Sequence, residues 1–438
     1  MTMAKLEQIR NAQVVTIADS SDRSIKTRGA GALLGLVYLI SFFCGLAQSF
    51  EGVFLPEFKE YFHLSYQQQM YIVFAKNLPF VAALAVGWLV RRKGYKNTLA
   101  VAMFLYAAGT LLLVPGLRTE KYWMVLLGFM TIGGGFTFQM VAANPLMSAL
   151  GLAEGASSRL NFGNALGAVA QIIAPATLTV IIPVSAVLAR EKMTYIEQLF
   201  LSLGIALIAV AAAVVIFPDV TVSQVGPNAA SIRSQTCHQS IWSRRKAIWD
   251  FIVIFLLLGV EASLFSLFRN YLESPDVAAL SAHSSQRLFT AFFGLFALGR
   301  LTASWIQRHI RPIFQMNAHL LASAFCVMAL VFAKGATAIS VFLALGFLVS
   351  IFFPTFYGMS IERAGDLAPQ ASGLLTVGFL GCAIVPVVQG GLADMIGLRH
   401  SFWLCAGVYL LIVVYVSRMH TREKSSASAD AHAIFVRN

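Results

Sequence analysis

YWMVLLGFMTIGGGFTFQMVAANPLMSALGLA, residues 122–153, is a run of 32 residues without a charge, bracketed by Lys121 and Glu154. A helix needs about 20 predominantly apolar residues to cross the hydrocarbon of a bilayer. This stretch is long enough, and others resemble it. Arg159 to Arg190 encloses 30 uncharged residues, and Lys334 to Glu362 and Asp366 to Asp394 each enclose 27. A soluble core cannot use so many, so the chain reads as an all-α integral membrane protein. A barrel is excluded because its strands would alternate over short segments, and only helices or closed barrels satisfy the backbone in lipid.

Composition agrees. Charged residues are 12% of the chain and hydrophobic residues 58%, where a soluble domain carries about 25% charge. The net charge of +12 does not point to nucleic acid, because the basic residues sit in short connectors and form no continuous patch. Cys44, Cys326, Cys382 and Cys405 lie in apolar spans and Cys237 in a polar loop, without zinc or disulfide spacing. Residues 1–28 are polar and lack the apolar segment of a signal peptide; they are expected to remain as a disordered cytoplasmic tail.

About twelve spans are expected, near 31–54, 68–90, 97–116, 122–150, 162–188, 198–217, 248–272, 286–307, 313–333, 336–360, 371–393 and 400–418. With the N-terminus inside, inward-facing segments hold 21 Lys and Arg and outward-facing loops hold 7. The positive-inside rule then places both termini in the cytoplasm. The longest polar connector, 218–247, follows the sixth span and carries Arg244-Arg245-Lys246. It divides the chain into an N-terminal six-helix half (29–217) and a C-terminal one (248–418), followed by a cytoplasmic tail (419–438). Gly45 followed by Glu51 in the first span, and Gly259 followed by Glu261 in the seventh, hint at a repeat. Two similar halves around a central loop point to a carrier that alternates access between them.

Charges inside a membrane are costly and usually face a cavity or a partner. Glu51 and Glu261 are the proton-coupling candidates, since burial disfavours the charged form of a carboxyl; a static hydrogen bond to a neighbouring helix is the plainer alternative. Lys76 in the second span can pair with Glu51 or snorkel outward. Arg269 is expected to snorkel. Arg300, after Gly299, suits a gating ion pair or interfacial anchoring. Amides offer donors and acceptors together, which suits a polyhydroxylated solute. Gln48, Gln139, Asn144, Asn161, Asn164, Asn270 and Gln389 are the substrate-binding candidates, with Gln171 beside them. Phe50, Phe138, Phe265 and Tyr357 can stack on a ring or simply pack. Gly133-Gly134-Gly135 favours close helix approach and is no nucleotide loop, since no Gly-Lys-Ser/Thr follows. No catalytic triad or metal cluster stands out, so neither an enzyme nor a cofactor is expected.

Several stretches resemble one family. Ala-Ala-Asn-Pro at 142–145, Arg-Leu-Asn at 159–161, GVEASLFSLFRNYL at 259–272, Leu-Gly-Arg at 298–300 and PTFYGMSIERAG at 354–365 are similar, in order, to motifs of the major facilitator superfamily. The match is to its fucose–galactose–glucose/proton symporter family. The run from SGLLTVGFLG at 372 through PVVQGGLADMIGLRHSF, ending at 402, is the closest, and Leu55-Pro56 and Gly-Tyr-Lys at 94–96 also fit. The resemblance implies a major facilitator fold, a hexose or deoxyhexose substrate such as fucose, galactose or glucose, proton coupling, and a monomer in a bacterial inner membrane. It also places Glu261 on the family's acidic position in the seventh helix. The chain departs from the family at Met140, where an acid often stands, with Gln139 one place earlier. Glu51-Gly52 replaces Asn-Asp, and Phe162–Gly167 keeps one amide of two. These departures, with Lys76 and Arg269, leave open a facilitative or differently coupled carrier of another polar solute such as a sugar acid. A non-transporting sugar sensor is a third reading, set back by tails too short for a signalling domain.

Overall fold

The computed structural model describes residues 3–150, 156–181, 189–217, 245–307, 309–364 and 367–437. The N-terminal half comprises α1 (Met3–Tyr61), α2 (Tyr66–Asn77), a 3₁₀ turn (Leu78–Ala82), α3 (Ala83–Arg118), α4 (Tyr122–Ala149), α5 (Ala156–Ile181) and α6 (Ala189–Ile216). The C-terminal half comprises α7 (Arg245–Glu273), α8 (Ala282–Ile306), α9 (Pro312–Phe332), α10 (Gly335–Val349), α11 (Phe352–Ala364) and α12 (Ala368–Val377). A 3₁₀ turn (Gly378–Leu380), α13 (Gly381–Ile396) and α14 (Leu398–Arg437) complete it.

Among the described residues, nine helices are long and apolar enough to cross a membrane. The expected spans at 68–90 and 286–307 also fall on helix without meeting that criterion, the first being broken by a 3₁₀ turn; of 162–188, residues 162–181 are helical and 182–188 lie outside the described residues. Two sequence expectations change at the chain ends. Helix α1 starts at Met3 rather than after a disordered tail, and α14 continues through the C-terminal tail to Arg437. Both segments hold several Ala and Arg with no Pro, which carries a helix forward cheaply. Most of the expected central loop, residues 218–244, lies outside the described residues, and 245–247 already belong to α7.

The ends of the spans follow local chemistry. Ser65 caps α2 in a capping box with Gln68, and Ser281 caps α8 by accepting from the backbone of Ser284. Gly94 takes φ +80° and lets α3 turn back between two spans, and Gly397 at φ +87° does the same between α13 and α14. Only glycine adopts that backbone without steric cost.

The two halves repeat each other in how their helices cross. A Cβ on Gly45 would stand 2.7 Å from the carbonyl oxygen of Gly167, and one on Gly259 would stand 2.9 Å from that of Gly381. Both pairs differ by the same offset of 214 residues (45 to 259, 167 to 381). The crossing of α1 on α5 thus recurs as α7 on α13, each through glycines that let backbones touch. The carboxylates do not follow the repeat. At that offset Glu51 falls on Phe265, and Glu261 on Ala47.

The second and eleventh spans are interrupted midway, by the 3₁₀ turns at 78–82 and 378–380. Pro79 lacks the N–H that an unbroken helix would use at that point. The two breaks face each other across the halves, with Phe80 stacked on Phe379 at 5.0 Å between centroids and 18° between planes. Non-helical backbone at membrane depth is tolerated where protein or a cavity surrounds it.

Candidate transport pathway

In the N-terminal half, Lys76 sits one residue before the end of α2, at the break in the second span. Its ammonium forms an ion pair with the carboxylate of Glu51 on α1 and donates to the carbonyl of Gln48 at 3.3 Å. Gln48 in turn donates from its amide to the hydroxyl of Tyr106 on α3 at 2.9 Å. Lys76 therefore does not snorkel. It is drawn inward because an acidic partner and a carbonyl compensate its desolvation, and because Gly133 lets the α4 backbone settle directly against that of Lys76. Gln139 is buried on α4, and its side-chain oxygen has no hydrogen-bond partner among the described residues. Asn144 points its amide nitrogen at the Met140 sulfur, 3.9 Å away.

In the C-terminal half, Glu261 is buried and lies within electrostatic range of Arg300. No hydrogen bond or ion pair joins Glu261 to any partner among the described residues. Arg300 instead donates to the carbonyl of Ser350 at 3.2 Å, lies 4.5 Å over the ring of Phe296, and stays exposed. Cys382, just past the break in the eleventh span, donates to the carbonyl of Leu258 at 3.4 Å, three residues before Glu261, and Lys76 lies just before the break in the second span, whose Phe80 stacks on Phe379. The two charge sites therefore flank the facing helix breaks in one central region.

The other candidates divide. Asn270 is held by Gln69 of the opposite half, whose amide donates to it at 3.0 Å, so it belongs to an inter-half contact. Gln389 is fully buried between α13 and α14, where it shares bonds with Ser401 (3.4 Å) and Cys405 (3.2 Å). Asn161 and Asn164 lie on α5, and their side chains fall outside the described residues. Phe50 packs against Phe54 and Phe200, and Phe265 sits amid Phe292, Phe293 and Phe296. Both are engaged in ring packing.

The sequence reading missed the contacts that join the halves at one end. Arg269 is corrected first. It is 1% exposed and does not snorkel. Its guanidinium bonds both oxygens of Glu57 and the carbonyl of Val53 on α1, and Glu273 on its own helix. Ser285 bonds both Arg269 and Glu273. Beside this cluster, Asp394 at the end of α13 accepts the backbone N–H groups of Tyr66 and Gln67, each at 2.8 Å. A carboxylate there satisfies unpaired donors at a helix start and complements its dipole. Gln286 on α8 donates to the carbonyl of Pro175 on α5 at 2.9 Å. All these contacts lie at the ends that the charge count assigns to the outside. The available signal was the spacing of Arg269 and Glu273, an (i, i+4) pair late in an apolar helix.

A model of the Major Facilitator Superfamily matches residues 37–380. The chain belongs to the major facilitator superfamily. Over 394 residues it is 31% identical to a glucose/galactose transporter of Brucella abortus, covering 88% of this chain and 93% of that protein. It is 24% identical to the L-fucose-proton symporter of Escherichia coli, over 88% of this chain and 92% of that one. A crystal structure of the E. coli fucose:proton symporter superposes with a TM-score of 0.61 at 20% identity, covering 89% of this chain and 98% of that one. The superfamily and the fucose–galactose–glucose/proton symporter grouping expected from the motifs both hold, as does the multi-pass helical fold.

Proposed function

We propose that this chain imports a monosaccharide, a hexose or deoxyhexose, coupled to protons by alternating access, in a bacterial inner membrane with both termini cytoplasmic. The observation that carries this reading is the contrast between the two intramembrane carboxylates. Glu51 is paired with Lys76, so a proton placed on it would strand the ammonium, and it is a poor proton carrier. Glu261 has no hydrogen-bond or ion-pair partner among the described residues, so its protonation breaks no existing bond. We therefore assign the proton to Glu261. Gln48, Tyr106, Gln139 and Asn144 supply donors and acceptors for sugar hydroxyls in the N-terminal half. The curated relatives, named as sugar transporters, support the substrate class. With the halves joined at the outer end, the arrangement corresponds to a carrier closed to the outside.

In this scheme Glu261 takes its proton in the outward-open state. Its neutralisation removes a desolvation penalty that opposes closure around the sugar. Release of the proton to the cytoplasm restores the charge and its attraction to Arg300.

The test is reconstitution in liposomes, with internal pH followed while fucose, galactose, glucose and acidic sugars are added outside. Acidification on adding a neutral sugar is the expected outcome. Sugar uptake with flat pH traces would overturn proton coupling. A second reading, a carrier of sugar acids, is favoured by Arg300 and Lys76 beside the central region, and uptake restricted to acidic sugars in the same assay would select it.

A further inference from the structure

A concavity lies at the inner end of the C-terminal half. It is a cleft of about 890 Å³ between α7, α11, α12 and α14. Its chemistry is graded along the membrane normal. The deeper wall is apolar, formed by residues such as Leu256, Leu375 and Leu411, and Leu411 and Val414 are exposed on its flank. The mouth carries Arg245, Lys246, Arg363 and Arg418 against a single carboxylate, Asp250. That carboxylate is already engaged, by Arg363 at 3.1 Å and by the hydroxyl of Tyr415 at 2.9 Å. Among the described residues that line it, the cleft mouth carries four basic side chains to one carboxylate. Trp249 and Tyr415 lie together at this level, 6.1 Å between centroids, as aromatic pairs do at a membrane–water interface.

A polar solute has no use for the apolar wall, and a plain hydrophobic ligand has none for four basic side chains. One molecule uses both and is always present there. We propose that the cleft holds an anionic phospholipid of the cytoplasmic leaflet, its phosphate among Arg245, Lys246 and Arg418 and its acyl chain along the apolar wall. Basic pockets between transmembrane helices on the cytoplasmic side are chemically suited to such headgroups. The choice of leaflet rests on the orientation read from the charge count. Because α7 and α14 form the cleft, an occupant would bind the C-terminal half to the leaflet without entering the transport pathway.

The test is native mass spectrometry of the full-length protein in detergent, titrated separately with phosphatidylglycerol, phosphatidylcholine and inorganic phosphate. The expected result is binding of phosphatidylglycerol at least about tenfold tighter than of phosphatidylcholine. In a variant carrying Arg245→Ala, Lys246→Ala and Arg418→Ala, that preference disappears while the melting temperature in lipid-free detergent is retained. The single change Lys246→Glu, milder for folding, is expected to cut the preference several-fold by itself. Equal binding of the two lipids by the wild-type protein would overturn the proposal, as would a preference that survives the substitutions. Binding of inorganic phosphate as tight as that of phosphatidylglycerol would also overturn it, in favour of a simple anion site.

Discussion

Arg269 of the C-terminal half and Glu57 of the N-terminal half meet in a two-pronged ion pair, with guanidinium nitrogens 2.7 Å from each carboxylate oxygen. The side chains are 1% and 4% exposed. Their burial decides what the pair does. Charges this dry are held only while both are present, and separating them requires that water reach each one. In the proposed alternating-access cycle this pair is the latch that holds the outer end closed.

Replacing Arg269 with Ala leaves Glu57 buried and unpaired in the closed form, a penalty of roughly 3–5 kcal/mol. The outer end should then spend more time open, and transport should fall at least about tenfold. Solvent labelling of a cysteine introduced at Gln69 should rise in the same background. The double variant Arg269→Gln with Glu57→Gln should recover part of the loss, since no charge is stranded. Equal labelling in wild type and Arg269→Ala would argue against the latch.

Glu261→Gln keeps the side-chain shape and removes the proposed proton site. Sugar accumulation driven by an imposed pH gradient should vanish, while equilibrium exchange of labelled sugar across the liposome membrane continues within about threefold of wild type. Accumulation that persists would move the proton elsewhere.

Lys76→Ala strands Glu51 in an apolar setting and should impair exchange by about tenfold or more, through a cost of several kcal/mol for the unpaired charge. Adding Glu51→Gln should restore much of the exchange. A double variant no better than Lys76→Ala would mean that the ammonium contacts the substrate itself, and a dependence on acidic sugars would accompany that result.

Gln389→Leu tests whether that amide belongs to the packing or to the pathway. Two side-chain bonds are lost, at about 0.5–1.5 kcal/mol each, so the melting temperature should drop. The KM for sugar should stay within about twofold. Gln48→Ala should instead raise KM, well beyond the twofold limit set for Gln389→Leu.

Gly45→Leu and Gly259→Leu should both compromise folding, because each side chain would meet the backbone carbonyl of a facing helix. Similar losses in thermal stability at both sites would bear out the 214-residue repeat of the helix crossings. A tolerated leucine at either one would break the equivalence.

The sequence by itself determined the solvent in which this chain folds, its helical class and the superfamily. Long uncharged runs such as 122–153 admit no other reading, because a backbone in lipid must satisfy itself within each helix. It also marked Glu51, Lys76 and Glu261 as expensive residues needing an explanation, since their cost depends only on their depth in an apolar segment. Tertiary structure alone decided how each cost is met. Glu51 finds Lys76 one span away, Arg269 finds Glu57 some 212 positions earlier in the chain, and Glu261 finds no bonded partner among the described residues. Gln389 and Asn270 looked alike as amides in apolar spans, yet one is enclosed between α13 and α14 and the other reaches Gln69 across the halves. Side-chain period tells which face of a helix is polar, but not which helix that face meets. That is settled by the glycine crossings and helix breaks that set the helices against one another, and these act between residues far apart in sequence.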